Sequence, residues 1–368
     1  MPSLKPDLEF NENGICQGCL AFENRKKINW KEREEKFKKI IIKYKNKNYY
    51  DCIIPVSGGK DSHYQVIKCL EYGMNPLCVT ATTDKLTELG RHNIENLKKL
   101  GVDHFQISTD PNLRKKINKF TLQTVGDISW PEHLTIFTIP VKISCQFKIP
   151  LIIWGENSQN ENGGPAEKEN EQELNRKWLE EFGGLLGLRT TDLESILKID
   201  KKKLPLYTYP TESELKKNKV FGIFLGQFFP WDGHANAEIA KKNGFKFYEK
   251  ELEGSIVNYE NLDNAQMRIH DYFKFLKYGY DRVTDWCCWH IRRNRLSREK
   301  AIKINKEKSG KYPTEYMGYK LEEILQDIDL SKEEFDKICD NFTNKSIFRC
   351  DNEGKPIKDI SNSLIRNF

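Results

Sequence analysis

No stretch of this 368-residue chain approaches the roughly 18 consecutive apolar residues that a membrane-spanning helix needs. Its N-terminus also lacks the basic flank and apolar block of an export signal. These absences argue against a membrane partner and lead us to expect a soluble, cytoplasmic protein. A one-sided charge is missing too. The 60 Lys+Arg face 54 Asp+Glu, and the lysines are dispersed among glutamates rather than massed in one block, so nucleic acid is not an expected partner. There is no internal repeat. The ten cysteines (Cys16, Cys19, Cys52, Cys69, Cys78, Cys145, Cys287, Cys288, Cys339 and Cys350) are scattered. Several, such as Cys52, Cys69 and Cys78, lie in apolar runs, where a reduced cysteine behaves as a small hydrophobe. Thiols or a metal site are expected, not disulfides.

What is present is enough to build a core: 38% hydrophobic against 31% charged residues, in a chain long enough for one large domain with additions. Tyr50 to Val56 reads as a strand, and Ser62 to Tyr72 has helical spacing. Strand signals follow at Pro76–Ala81, 102–107 and 150–154, with helical ones at 88–100 and 131–147, where Pro140 would bend or interrupt the helix. This alternation predicts an α/β fold, a doubly wound parallel sheet covered on both faces. We divide the chain into an N-terminal arm (1–30), a nucleotide-binding core (48–160), an insertion or lid (161–218) that turns helical near Glu171 to Phe182, and a final part (219–368). That last part adds a strand at 220–229 and helices at 236–243, 265–278, 297–307 and 331–341.

Between the first strand and its helix stands Val56-Ser57-Gly58-Gly59-Lys60-Asp61-Ser62. Two glycines let a backbone turn tightly and aim its N–H groups at an anion, and the helix that follows offers its positive end. Phosphate is the natural ligand. A bare Gly-Gly turn that holds nothing is the alternative. The flanking hydroxyls of Ser57 and Ser62, the Asp at the helix start and the buried strand before the loop all agree on the first use.

The loop is not the GxxxxGK[ST] of kinase-like NTPases. It resembles the SGGxDS signature of the PP-loop ATP pyrophosphatases. That resemblance implies a cradle for the β,γ-pyrophosphate of ATP, attack of a substrate oxygen on the α-phosphorus, and Mg²⁺ on the leaving group. By position, Ser57, Gly58, Gly59, Asp61 and Ser62 would make those contacts, while Lys60 occupies the variable slot and adds charge.

Longer stretches narrow the resemblance. "WPEHLTIFTIPVKIS", "IPLIIWGENSQNENGG", "FLGQFFPWDGHANAEIAKKNGF" and "YGYDRVTDWCCWHIRRNRLSREKA", in order along the chain, look like the N-acetyl sugar amidotransferase family. The chain is most similar there to the PseA-type enzymes of pseudaminic acid modification, and the resemblance runs from about Pro2 to the helix after Arg298. It implies conversion of a sugar acetamido group to an acetamidino group. Adenylation turns the amide oxygen into a leaving group, and ammonia displaces AMP. The ammonia would come from a separate glutaminase of the histidine-biosynthesis type with a cyclase-like channel protein, since no glutaminase nucleophile is recognisable here. The Lys- and Asn-rich composition fits a low-GC bacterium that glycosylates flagellin or makes surface polysaccharide.

Gly155, Glu156 and Asn157 follow the last core strand, where open α/β sheets place ligands. Glu156 would bind Mg²⁺ or steer the amine, and Asn157 would hold the amide; a plain polar turn is the alternative. Thr80, at the end of the second strand, stands where this fold walls the adenine and ribose. The sugar-site candidates are Trp130, His133, Trp231, Asp232, His234, Trp286, His290, Arg292 and Arg293, because aromatics stack on sugar rings and Arg pairs with the carboxylate of a nonulosonic acid. Any of them can equally be core packing.

Cys16-Gln17-Gly18-Cys19 supplies half of a zinc knuckle. Family members carry a second CxxC just upstream, and Met1-Pro2 corresponds to a Met-Pro in that stretch, so we expect a natural start a few codons earlier. Recruitment of Cys287 or Cys288 and a redox pair are the alternatives, and the arm is expected to be less ordered without the second pair. Two other functions compete: a PP-loop tRNA thiolase, and a nucleotide-binding regulator without turnover.

Overall fold

The computed structural model describes residues 1–6, 8–155, 184–360 and 362–367. Two helices, α1 (Gln17–Arg25) and α2 (Trp30–Tyr44), precede the sheet. The sheet then alternates with helices in the order β1 (Cys52–Pro55), α3 (Lys60–Glu71), β2 (Pro76–Ala81), α4 (Glu88–Lys98), β3 (Asp103–Ile107), α5 (Pro111–Val125), α6 (Trp130–Phe147) and β4 (Leu151–Trp154). After α7 (Thr190–Leu197) and α8 (Glu212–Asn218), β5 (Phe221–Phe224) adds the last strand. All pairings are parallel and the strand order is β3-β2-β1-β4-β5. This is the doubly wound α/β sheet the alternation predicts.

Period-two alternation explains why the strands stay in place. Cys52 and Ile54 of β1 and Ile153 of β4 join one core with Phe37, Val66 and Leu97. Ile53 and Ile152 join the opposite core with Leu77, Ile139 and Val141. Both faces are apolar because both are covered by helices. Each fully buried Ile contributes about 1.5–3 kcal/mol by burial.

Several expectations need adjustment. Pro140 sits inside α6 without ending it; it forgoes one backbone bond, and the helix continues through packing on β1 and β2. The strand expected over 220–229 stops at Phe224, where a 3₁₀ turn begins. α5 went unread although Asp110 caps it, Pro111 starts it and Gly126 closes it in the left-handed region at φ 63°. The helix expected near 171–182 lies outside the described residues. The C-terminal part is helical: α9 (Gly233–Lys242), α10 (Met267–Tyr278), α11 (Arg282–Arg292) and three further helices. It has its own core, in which Ile269, Phe273 and Leu276 of α10 pack on Leu321, Ile324 and Phe335.

Candidate active site

The chain crosses from one side of the sheet to the other between β1 and β4, and open α/β sheets bind ligands at the strand ends beside such a switch. A cleft of about 630 Å³ opens there. Its floor is Ser57, Asp61 and Ser62 with Thr80 of β2 and Gly155 after β4. Facing them are Glu132, His133, Ile136 and Phe137 of α6, and then Asn261, Asp263, His270 and Arg282.

The glycine loop is held by its own hydroxyls. Ser62 Oγ accepts from the Ser57 N–H at 3.0 Å, and Ser57 Oγ accepts from the Gly59 N–H at 3.3 Å. Gly58 has φ 85°, and a Cβ there would lie 2.5 Å from Ile94 Cγ1 and 2.9 Å from the Ile94 nitrogen. Only glycine tolerates both the dihedral and the closeness of α4. Gly59 caps α3 with no side-chain acceptor for the first-turn N–H groups. The donors and the positive helix end are thus left for an anion, and the exposed Ser57 sits beside them. These residues fit a phosphate chain.

Asp61 Oδ1 accepts from Asn236 Nδ2 at 2.8 Å, and Oδ2 from Lys60 Nζ at 2.7 Å. An ionised carboxylate has about four lone-pair sites, so Asp61 keeps acceptor capacity toward the cleft. Lys60 does not reach the cleft. It is 4% exposed, pairs with Asp61 and Glu260, and lies 5.7 Å from the Trp286 ring centroid. Burial opposes its charge, but the two carboxylates outweigh that and hold its pKa above the ordinary lysine value. The added charge expected of Lys60 is therefore engaged by Asp61 and Glu260. His63 donates from Nδ1 to the Gly59 carbonyl at 2.9 Å, and Asn96 Nδ2 points at Nε2 at 3.2 Å. That pairing selects the neutral tautomer, and burial lowers the ring's pKa to about 4.

The other residues singled out in the sequence scatter. Thr80 lines the cleft and donates to the Val56 carbonyl at 2.6 Å. Gly155 lines it too; a Cβ there would meet Gln65 Oε1 at 3.3 Å. Glu156 and Asn157 lie outside the described residues. Of the nine sugar-site candidates, His133 alone lines the cleft. Trp130 is core: it is fully buried, and its indole N–H donates to the Leu185 carbonyl at 2.7 Å. Asp232 caps α9 and pairs with Arg295. His290 packs with Trp286 and His234, and burial lowers its pKa to about 4. Trp286 of this second aromatic group lies beside Lys60. Arg292 packs instead against Gly18 of the N-terminal arm.

Cys16 and Cys19 bring their sulfurs to 3.6 Å. The shared proton draws the Cys16 thiol down to about 4 and drives that of Cys19 up. Among the described residues no third cysteine, histidine or carboxylate joins them. Cys287 instead sits beside the Ala301 carbonyl, and among the described residues neither it nor Cys288 joins the pair. All ten cysteines are free thiols.

Apart from His133, the wall opposite the loop was not among the sequence candidates. Burial, with Asp84 and Asp263 nearby, pushes the Glu132 carboxyl up to about 7. Burial, with Glu260, pushes that of Asp263 up to about 6. Arg282 is clamped by Asp271, Nε to Oδ2 at 2.7 Å and Nη2 to Oδ1 at 3.0 Å. Asp127 lies behind the wall. Its Oδ1 accepts from His270 Nδ1 and the Ser129 N–H, both at 2.8 Å, and its Oδ2 is 3.4 Å from His133 Nδ1. Burial alone would raise its carboxyl, but the two imidazoles hold it well below the carboxylate range. The polar loop 258–264 and the Asp281 cap of α11 were the available signals.

Comparison with known proteins bears on this same wall. Residues 253–361 match the family described as "LPS biosynthesis protein WbpG-like, C-terminal domain". The match includes Asn261, Asp263, His270 and Arg282. No curated protein matches the chain. Among solved structures, NMN synthetase from Francisella tularensis is similar at 15% identity with a TM-score of 0.27, over 58% of this chain and 87% of that one. The fold assignment rests on the strand order, not on that likeness.

Proposed function

We propose that the chain is an ATP-dependent N-acetyl sugar amidotransferase that converts an acetamido group of a pseudaminic-type nonulosonic acid into an acetamidino group. One observation carries the reading. Ser57, Asp61 and Ser62 of the phosphate-type loop and four residues of the segment similar to a lipopolysaccharide-biosynthesis domain line a single cleft.

The chemistry follows from what each wall offers. ATP binds with its β,γ-phosphates against the glycine loop and on the first-turn N–H groups of α3. Asp61 and, beyond the described residues, Glu156 are the carboxylates for Mg²⁺, which neutralises the departing pyrophosphate when bound. The sugar's amide oxygen attacks the α-phosphorus and pyrophosphate leaves. Ammonia adds to the activated carbon, the C–O bond to AMP breaks, and the nitrogen sheds a proton. Asp263, on the facing wall with its carboxyl raised to about 6, is a proton acceptor poised near neutrality. The ammonia comes from a glutaminase and cyclase-like partner, or from solution.

The test is release of pyrophosphate and AMP from ATP with Mg²⁺ and ammonium, in the presence of N-acetylated nonulosonic acids or of tRNA with a sulfur donor. Release that depends on the sugar is the expected result. Release that depends on tRNA would move the assignment to thiolation, and none with either would leave a nucleotide-binding regulator.

A further inference from the structure

Asp127, His133 and His270 come from three elements: the turn after α5, the first turn of α6, and α10. One ligand atom from each lies within 4.8 Å of the others. The carboxylate is fixed from behind by the Ser129 N–H at 2.8 Å, the kind of outer hydrogen bond that orients a metal ligand. His133 Nδ1 is buried, makes no hydrogen bond among the described residues, and stops 3.4 Å from Asp127 Oδ2. That gap is longer than the usual range of about 2.7–3.2 Å for an N–H···O bond. It matches the edge of a tetrahedral site, where two atoms each about 2.0–2.1 Å from zinc stand about 3.4 Å apart.

We propose that Asp127, His133 and His270 form a site for a divalent ion of the zinc class, whose open coordination position faces the cleft and takes an oxygen of the substrate. Two imidazoles and one carboxylate suit zinc, iron or nickel better than magnesium, so the site is distinct from the Mg²⁺ that accompanies ATP. Binding displaces the proton His270 Nδ1 shares with Asp127 Oδ1. Both histidines line the cleft, which leaves the fourth position open to substrate. This site does not depend on the amidotransferase reading.

The test uses the full chain with Cys16→Ser and Cys19→Ser, which removes the other metal-binding pair. After loading with Zn²⁺ and dialysis, elemental analysis should find one zinc per chain. Zinc should raise the melting temperature, and Co²⁺ should give visible bands without thiolate charge transfer. Asp127→Asn and His270→Gln should each weaken binding by about tenfold or more and abolish the thermal shift. His133→Gln, at a half-buried ring, gives the same reading if the Asp127 variant fails to fold. No bound zinc in the cysteine-free protein, or stoichiometric zinc that survives all three substitutions, would overturn the site.

Discussion

Asn236 donates to Asp61 Oδ1 at 2.8 Å across 175 residues of chain, so the phosphate-type loop is bolted to a helix of the C-terminal part. Asn236 is 2% exposed, and a bond to a charged acceptor is worth about 1.5–3 kcal/mol. Asn236→Ala should lower the rate of ATP–pyrophosphate exchange about tenfold or more while leaving the circular dichroism spectrum intact. Asp61→Asn should abolish exchange, and the double variant should be no worse than Asp61→Asn alone.

Lys60 is the buried cation between Asp61 and Glu260. Lys60→Met strands two carboxylates against each other, and breaking a buried pair costs about 3–5 kcal/mol. Urea denaturation should show that loss, and adding Glu260→Gln should restore much of it. An unchanged midpoint for Lys60→Met would show that the lysine holds nothing together.

His63 should make the loop acid-sensitive. Its folded pKa of about 4 lies below the ordinary value of 6.5, so between those pH values the unfolded chain binds the proton and the folded one does not. Stability is complete above about pH 6.5 and falls as pH drops toward 4, by up to about 3 kcal/mol. Denaturation midpoints measured across that window should fall in wild type and fall less steeply in His63→Gln, where His104 and His290 still titrate in the same direction. Parallel curves would contradict the account.

Gly58→Ala should fail twice, because φ 85° disfavours a Cβ and that Cβ would press on Ile94 Cγ1 and on the Ile94 backbone nitrogen. Strain of about 1–3 kcal/mol should appear as a lower melting temperature with loss of ATP binding by calorimetry. Trimming Ile94 to Ala should recover little, since the backbone clash and the dihedral remain.

These tests separate what was legible in the sequence from what was not. β1, β2, β4 and the loop could be read because local rules coincide there: apolar runs of strand length, a glycine turn, and a helix start. His133 could be named as a site residue, but its partners Asp127 and His270 could not, because they are brought together by the packing of α10 on the turn after α5. The same holds for Glu260 and Lys60, 200 residues apart. Two of the aromatic and basic candidates have a packing role in the structure. Trp130 satisfies its indole N–H inside the core, and Arg292 covers Gly18 in the N-terminal arm, so residue types suited to a sugar were spent on packing.

The most direct test of the proposed reaction is mass spectrometry of the sugar after incubation with ATP, Mg²⁺ and ammonium, using N-acetylated nonulosonic acids both free and CMP-linked. The account predicts a product whose mass reflects exchange of a carbonyl oxygen for NH, formed in step with AMP and pyrophosphate and absent with Asp61→Asn. ATP binding with every sugar recovered unchanged would contradict it.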